Sequence, residues 1–237
     1  MAIYLKKFET QDDYEAAQSG LILPNVSYTV DNNTVHYNPF VDPYNGHEYV
    51  DLGLPSGTKW ATMNVGATKP EEYGLYFSWG NVEGHNLNGE GTYDFGTSNT
   101  SEPYVSSNGA TITFPGSIAV GDAYDMARAN MGGNWRLPTN TEFQELYDNT
   151  DSEWITINGV NGRRLTSKIN GNSIFFPAAG VSYDGSSHYY EGSAGYYWSS
   201  VLFSADYAFS LRFHSGGVLP QSYAPRYFGS SVRAVIG

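Results

Sequence analysis

The C-terminal segment, residues 195–237, constrains the fold more than any other part of the sequence. Two dense motifs frame it, Tyr196-Tyr197-Trp198 at its start and Arg226-Tyr227-Phe228-Gly229 near its end. Between them, residues 209–214 alternate strictly between apolar and polar side chains, which predicts a half-buried β-strand. One face carries Phe209, Leu211 and Phe213, and the other carries Ser210, Arg212 and His214. The other residues between the motifs follow no period, so we interpret the motifs as core and these residues as surface.

Composition favours a β-rich protein and excludes several functional classes. The 237 residues are 40% apolar and 16% aromatic and include 27 glycines, which suits strands and turns better than a helical bundle. A net charge of -12 repels nucleic-acid phosphates and anionic membrane surfaces, so nucleic-acid binding is not expected. No stretch approaches the ~20 apolar residues of a membrane span, so membrane insertion is not expected either. The sequence contains no cysteine, which excludes disulfides, thiolate nucleophiles and cysteine-ligated zinc.

The N-terminal part predicts an arm that precedes the main domain. A helix is expected from Thr10, its cap, to Gly20, and a hairpin from the stretches 26–30 and 34–38. We therefore divide the chain into an arm or small subdomain, 1–45, and a domain, 46–237. The first residues contain no apolar run typical of a signal peptide. If Met1 is the native start, we expect synthesis in the cytosol and a soluble product.

The main domain reads as two helices followed by strands. Residues 122–130 predict the first helix, with Ala123, Met126, Ala127 and Asn130 on one face and Gly132 at its end. Thr139 and Glu142 fit a capping box for the second, whose predicted buried residues are Phe143, Leu146 and Tyr147. Predicted strands are 48–52, 60–65, 164–169, 173–176 and 231–235, with Asn170-Gly171 as a hairpin turn. Residues 84–108 predict a long surface loop. Trp60, Trp79, Trp135 and Trp198 are predicted core residues.

No constellation of residues predicts catalysis or a resident metal. The five histidines lack metal-site spacing, and there is no nucleophile elbow. The carboxylate pairs Glu71-Glu72 and Asp122/Asp125 are explained by a solvated loop and a helix start. We therefore expect a non-enzymatic protein without a cofactor. Structural calcium, held by loop oxygens, stays open although no motif supports it.

Seven motifs occur in an order that resembles the Fibrobacter succinogenes major paralogous domain, and the resemblance covers about residues 47–237. The motifs occupy residues 49–61, 64–67, 70–74, 133–139, 176–180, 195–200 and 231–233. That family is similar to the C-type-lectin and formylglycine-generating-enzyme folds. The resemblance implies an α+β fold with two helices and small antiparallel sheets, plus the N-terminal arm. The cysteines that family members often carry are replaced here, at Met63 and near Thr150, and the calcium-dependent sugar motifs of lectins are missing.

A narrower resemblance is to the variable proteins of diversity-generating retroelements from gut Bacteroidales or their phages. It implies a variable region at about 184–233 that binds a protein or glycan receptor on a cell surface, as in phage receptor binding or host attachment. The alternative is a Bacteroidales cell-surface adhesin or glycan-binding module without retroelement diversification. The first reading implies association with a virion if the gene is a phage gene, and the second implies export by a signal that has been removed.

The candidate ligand-binding residues lie on both sides of the Tyr196-Tyr197-Trp198 motif. Aromatic and leucine side chains would supply buried area, and Arg212, Asp206 and His214 polar specificity. The candidates are His188, Tyr190, Glu191, Val201, Leu202, Phe203, Ser204, Asp206, Ser210, Arg212, His214, Val218, Leu219, Gln221 and Tyr223.

Overall fold

The computed structural model describes residues 44–86, 116–183 and 187–237, together with the backbone of 26–31, 34–39, 104–105 and 111–112. The helices in these ranges are α1 (Met126–Met131) and α2 (Asn140–Asp148). The strands are β1 (Val26–Asp31), β2 (Thr34–Pro39), β3 (Tyr49–Val50), β4 (Lys59–Ala61), β5 (Tyr104–Val105), β6 (Thr111–Ile112), β7 (Thr150–Ile157), β8 (Val160–Ser167), β9 (Ser173–Pro177), β10 (Val181–Ser182), β11 (His188–Tyr189), β12 (Ala194–Leu202), β13 (Tyr207–His214), β14 (Gly217–Pro225) and β15 (Val235–Ile236).

These strands form small sheets in which every strand pair is antiparallel. Three sheets have three strands each, in the orders β15-β4-β3, β7-β8-β9 and β12-β13-β14. The pairs β1-β2, β5-β6 and β10-β11 make the two-stranded sheets. The described chain is therefore α+β, with two helices and small antiparallel sheets, as the sequence predicted.

Helix α1 begins later than predicted. Asp125 is its cap, because the carboxylate accepts hydrogen bonds from backbone N–H groups of the first turn. Gly132 ends the helix as predicted, with a φ of 67° that suits glycine. The prediction of a helix over 122–130 was wrong at its start, so Ala123 precedes the helix. Of the residues predicted to share a face, Met126 and Ala127 are buried and Asn130 is exposed.

Helix α2 has the predicted capping box. The Thr139 hydroxyl accepts from the Glu142 N–H at 3.1 Å, and the Glu142 carboxylate accepts from the Thr139 N–H at 2.8 Å. Phe143 and Leu146 are buried as predicted, whereas Tyr147 is 38% exposed, which corrects its assignment to the core. The helix packs its apolar side against β13 and β14.

The strand predictions hold for position better than for length. The N-terminal hairpin is confirmed as β1 and β2, and the predicted helix at 10–20 lies outside the described residues. The predicted strands at 48–52 and 60–65 shorten to β3 and β4, and the terminal strand is β15. The loop predicted over 84–108 was wrong at residues 104 and 105, which form strand β5. Residues 87–103 and 106–108 of that loop lie outside the described residues.

The sequence also held a hairpin that we did not predict. β7 and β8 pair over their whole length, from Thr150 with Ser167 to Ile157 with Val160. The connecting residues are Asn158 and Gly159, which both have positive φ, at 49° and 86°. This is the dipeptide that a two-residue turn between right-twisted strands prefers.

The core divides into two clusters that meet near the C terminus. The four tryptophans predicted for the core, Trp60, Trp79, Trp135 and Trp198, are at most 1% exposed. Arg233 lies between the clusters, fully buried, and burial lowers its pKa to about 10. Its guanidinium donates to Asn64 Oδ1 and to backbone carbonyl oxygens at 2.8–3.1 Å, which compensates for its loss of water. No helix in the described ranges is long and apolar enough to cross a bilayer.

Candidate functional site

The predicted site segment forms the sheet β12-β13-β14, and its register decides which side chains share a face. Leu211 of β13 pairs with Tyr197 of β12, and Phe209 pairs with Tyr223 of β14. Paired residues lie on the same side of a sheet, so odd-numbered residues of β13 and their partners form one face, here called the odd face. The opposite, even face carries Tyr196, Trp198, Ser210, Arg212 and Leu219.

Each face of this sheet is buried along only part of its length. On the odd face, Leu211 and Phe213 are at most 2% exposed, because helix α2 covers them. On the even face the covered part lies nearer the start of β13: Ser210 is buried, whereas Arg212 is half-buried and His214 is exposed. One part of each face is therefore open, and the two open parts lie on opposite sides of the sheet.

The first aromatic motif holds the start of this sheet in the core, as predicted. Tyr197 and Trp198 are both fully buried. The Tyr197 hydroxyl donates to the Pro177 carbonyl oxygen at 2.7 Å, and Trp198 Nε1 donates to the Phe77 carbonyl oxygen at 2.6 Å. Each buried polar atom thus has a partner, so the motif fixes β12 in one position.

The far ends of the sheet are held by two arginines. Arg226 of the second motif is 1% exposed, lies over the ring of Trp79 at 5.8 Å and donates to the Ala205 carbonyl oxygen. Arg163 of β8 donates to the carbonyl oxygens of His214 and Ser215, at 2.8 and 3.0 Å, in the turn between β13 and β14. The strands that carry the candidate residues are therefore fixed at both ends.

The open part of the odd face carries four aromatic side chains, here called the aromatic surface: Phe203, Tyr207, Phe209 and Tyr223. The rings of Phe203 and Tyr223 are parallel, with centroids 4.3 Å apart. Phe209 meets Phe203 edge to face at 5.1 Å, and Tyr207 meets Tyr223 at 5.7 Å. Phe203 is 47% exposed and Tyr223 54%, so the stacked pair presents apolar area to solvent on a rigid support.

The open part of the even face is different in chemistry, and we call it the arginine surface: Tyr190, Tyr196, Arg212, His214 and Leu219. The Arg212 guanidinium lies over the Tyr196 ring, 5.3 Å from its centroid. The ring of Tyr190 lies 6.2 Å from that of Tyr196 and is 55% exposed. Burial raises the pKa of Tyr196, against the opposing effect of the Arg212 charge. Tyr196 therefore stays a neutral hydrogen-bonding phenol at physiological pH.

Several candidates lie in the core or beside it. Ser210 is 1% exposed, so its prediction as a surface contact was wrong: the twisted sheet buries the even face at that point. Leu202 packs against the core cluster that contains Trp198, and Val218 packs against the other one. These two and Val201 are half-buried.

Other candidates lie at the margins of the two surfaces. Glu191, Ser204 and Gln221 are exposed. Asp206 is half-buried, and its Oδ1 is buried without a hydrogen-bond partner in the described part of the chain. His188 lies apart from both surfaces, between the rings of Tyr76 and His85 at 5.2 and 6.3 Å.

The structure distributes the candidate residues over more than one surface of the sheet. The candidate residues form two separate surfaces, because strand alternation places Tyr223 on one side of the sheet and Arg212 on the other. Three residues of these surfaces were missed: Tyr196 and Phe209 were assigned to the core, and Tyr207 was not assigned. Alternation alone could not have found Tyr196, because it places Tyr196 on the same face as the buried Trp198.

The side chains of these two surfaces are suited to non-covalent binding of a ligand. They offer aromatic rings, an aliphatic side chain and a guanidinium, and within the described ranges no group of three His, Asp or Glu could hold a metal ion. Rings supply apolar area with little loss of conformational entropy, and the guanidinium adds directional hydrogen bonds.

In a comparison with known proteins, one family model matches a range of residues that contains both surfaces. A family model described as a domain of unknown function, DUF8237, matches residues 148–235. The matched part runs from the end of α2 into β15 and includes every candidate residue. Searches of curated proteins and of solved structures found no match.

Proposed function

We propose that the chain is a non-enzymatic binding protein that contacts its ligand through β12–β14 and the residues around them. One observation carries the proposal. The described residues include nine exposed large hydrophobic side chains, and five of them lie between 188 and 223: Tyr189, Tyr190, Phe203, Leu219 and Tyr223. Apolar side chains that cluster in the open are typical of interaction surfaces.

The support beneath these residues favours the same function. Trp198 fixes the sheet from the core side, and Arg163 and Arg226 fix its far ends. A surface that is ordered before it binds loses little conformational entropy on association, so more of the contact energy appears as affinity. Exposed residues on such a support can also change without unfolding it.

We further propose a C-type-lectin-like fold and a role as a retroelement variable protein that binds a protein or glycan receptor on a cell surface. The α+β architecture, with two helices and small antiparallel sheets, is compatible with that fold. The alternation of buried anchors with exposed residues in 184–233 is the arrangement that diversification would require. Nucleotide sequence tests this part: a near-copy of the final ~120 bases, differing at adenines and beside a reverse-transcriptase gene, is expected. Its absence would leave the adhesin alternative.

Binding itself is tested with two pairs of substitutions. Phe203→Ser with Tyr223→Ser removes the stacked rings of the aromatic surface. Tyr147→Ser with Ile169→Ser is the matched control, since these side chains are 38% and 53% exposed elsewhere on the domain. Labelled proteins are applied to intact gut bacterial cells and to a glycan array, and the unfolding midpoint of each variant is recorded.

We expect the first pair to weaken binding about tenfold or more, because central aromatic contacts dominate interfaces, and the control pair to leave it unchanged. Equal binding by both pairs, with all proteins folded, would contradict the proposed surface. A wild-type protein that binds no cell and no glycan would contradict the proposed function.

A further inference from the structure

We propose that Arg212 is the anchor of a carboxylate-binding site on the arginine surface. This rests on the proposed function, since it names the chemical class of ligand that one of the two surfaces takes. The juxtaposition that carries it is a half-buried arginine held across a tyrosine ring on an open sheet face, where no described carboxylate forms an ion pair with it. The site is distinct from the aromatic surface, which lies on the other side of the same sheet.

The sheet fixes the position of the guanidinium. Arg212 pairs with Tyr196 on one side and with Leu219 on the other, so the three side chains form one row across the even face. The Tyr196 ring lies under the guanidinium, and Tyr190 extends that aromatic floor. Stacking on a ring leaves the in-plane N–H donors of a guanidinium unused, and because Nε is buried, the Nη groups are the donors that a ligand would meet.

The hydrogen-bonding state of Arg212 is unlike that of other arginines in the described ranges. Arg136 donates to both carboxylate oxygens of Glu142, at 2.9 and 2.6 Å, and Arg164 is paired with Glu153 at 2.5 Å. Arg163, Arg226 and Arg233 donate to backbone carbonyl oxygens. Arg212 makes no ion pair with a described residue, and its Nε is buried without a hydrogen-bond partner. Burial of that Nε without a partner costs free energy. The rest of the guanidinium meets the Tyr196 phenol and no described carboxylate, so a bound anion would supply the charge partner that Arg212 lacks.

The surroundings of Arg212 favour a ligand with one anionic group and an otherwise uncharged structure. Among the described residues, the groups that act on the pKa of Tyr196 beneath it are Arg212, by its charge and a hydrogen bond, and two tyrosines, Tyr190 and Tyr183, with no carboxylate among them. The phenols are neutral donors beside the guanidinium. Leu219, 52% exposed, adds an apolar border. Arg212 thus places a positive charge on the surface of a chain whose net charge is -12.

A carboxylate fits this site better than a phosphate. The guanidinium edge accepts a planar carboxylate through two parallel hydrogen bonds, and a single negative charge is repelled less by an acidic protein than a dianion is. The aromatic floor and Leu219 then contact the rest of the ligand. Two sources share this chemistry, an acidic sugar and the carboxyl group of a peptide, and the test separates them.

The direct readout is the Nε–Hε signal of Arg212 in proton–nitrogen NMR spectra of the full chain. The probes are N-acetylneuraminic acid for acidic sugars and N-acetyl-leucine for peptide carboxyl groups. Uncharged N-acetylglucosamine and N-acetyl-leucine amide are controls for the parts of these probes other than the carboxylate, and inorganic phosphate is the control for negative charge. Arg212→Gln removes the cation, and Arg164→Gln is the matched control at an exposed arginine that already has a carboxylate partner.

We expect at least one carboxylate to shift the Arg212 signal with a dissociation constant of about 1–10 mM, as a single small contact site allows. The uncharged probes and phosphate should bind at least about tenfold more weakly, Arg212→Gln should lose the response, and Arg164→Gln should keep it. A response to the sugar acid, to N-acetyl-leucine or to both identifies the source and supports the site.

Three results would overturn the carboxylate site: no shift with either acid, tighter binding of phosphate, or an unchanged response in a folded Arg212→Gln protein. None of them decides the proposed function, which is judged by the cell and glycan binding of the Phe203→Ser/Tyr223→Ser variant. Conversely, a carboxylate response in a protein that binds no cell or glycan would leave the site and remove the function.

Discussion

Trp198 and Tyr223 belong to the same three-stranded sheet, yet their surroundings are opposite. Trp198 is fully buried and donates a hydrogen bond to a core carbonyl oxygen, whereas Tyr223 is 54% exposed and contacts other aromatic side chains of the surface. The cause is that the core covers different parts of the two faces, so each strand changes from anchor to open surface along its length. A single small sheet can thereby be rigid and still present two chemically different surfaces.

The largest expected effect is the loss of the anchor. Trp198→Ala should lower the free energy of unfolding by about 3–5 kcal/mol, because it leaves a large cavity and removes one of the two hydrogen bonds that the Phe77 carbonyl oxygen accepts. Tyr223→Ala should cost less than about 1 kcal/mol, since its ring is half in solvent. Urea unfolding of both variants measures the difference. Similar losses for the two would break the division into anchor and surface.

A smaller effect tests where the even face becomes buried. Ser210→Tyr should lower the free energy of unfolding by about 1–3 kcal/mol, because the added ring has to enter a packed core. The matched control is Ser204→Tyr at an exposed position, which should change stability by less than about 0.5 kcal/mol. Thermal or denaturant unfolding gives both values. If Ser210→Tyr were tolerated as well as the control, Ser210 would return to the surface as the sequence predicted.

Ser210 also shows which properties of β13 could be predicted from the sequence. Alternation correctly placed Leu211 and Phe213 on one side of β13 and Arg212 and His214 on the other, because the period of a strand is local. It could not show which part of each side is covered. On the odd side it depends on α2 and on the even side on the core cluster that contains Trp198, and both are distant in sequence from β13.

The same contrast applies elsewhere in the chain. The capping box of α2 was predictable because it involves residues three positions apart. The turn at Asn158-Gly159 was equally local and was missed, although its dipeptide is a strong hairpin signal. The separation of the candidates into two surfaces was not predictable, since it follows from how the two core clusters pack against the sheet.

The helix that covers the odd face should make the stability of the fold depend on pH through Glu142, at the start of α2. Burial alone would raise the pKa of Glu142, but hydrogen bonds from Arg136 and from Thr139 hold it below its ordinary value of 4.5. A carboxyl group whose pKa is lower in the folded state stabilises the fold above its unfolded pKa. That stabilisation is lost as the pH falls through the folded value.

Glu142→Gln should therefore lower the free energy of unfolding by about 1 kcal/mol at pH 7, because the start of α2 loses its charged cap. The difference from wild type should shrink as the pH falls below 4.5, where Glu142 becomes protonated in the wild type too. Glu153→Gln, in the exposed pair with Arg164, is the control and should change stability little at either pH. Urea unfolding at pH 7 and at successively lower pH measures both. If the difference in free energy of unfolding between Glu142→Gln and wild type did not change with pH, the charge of Glu142 would not contribute to holding α2 on the sheet. The burial of one part of the odd face and the exposure of the other would then be explained by apolar packing alone.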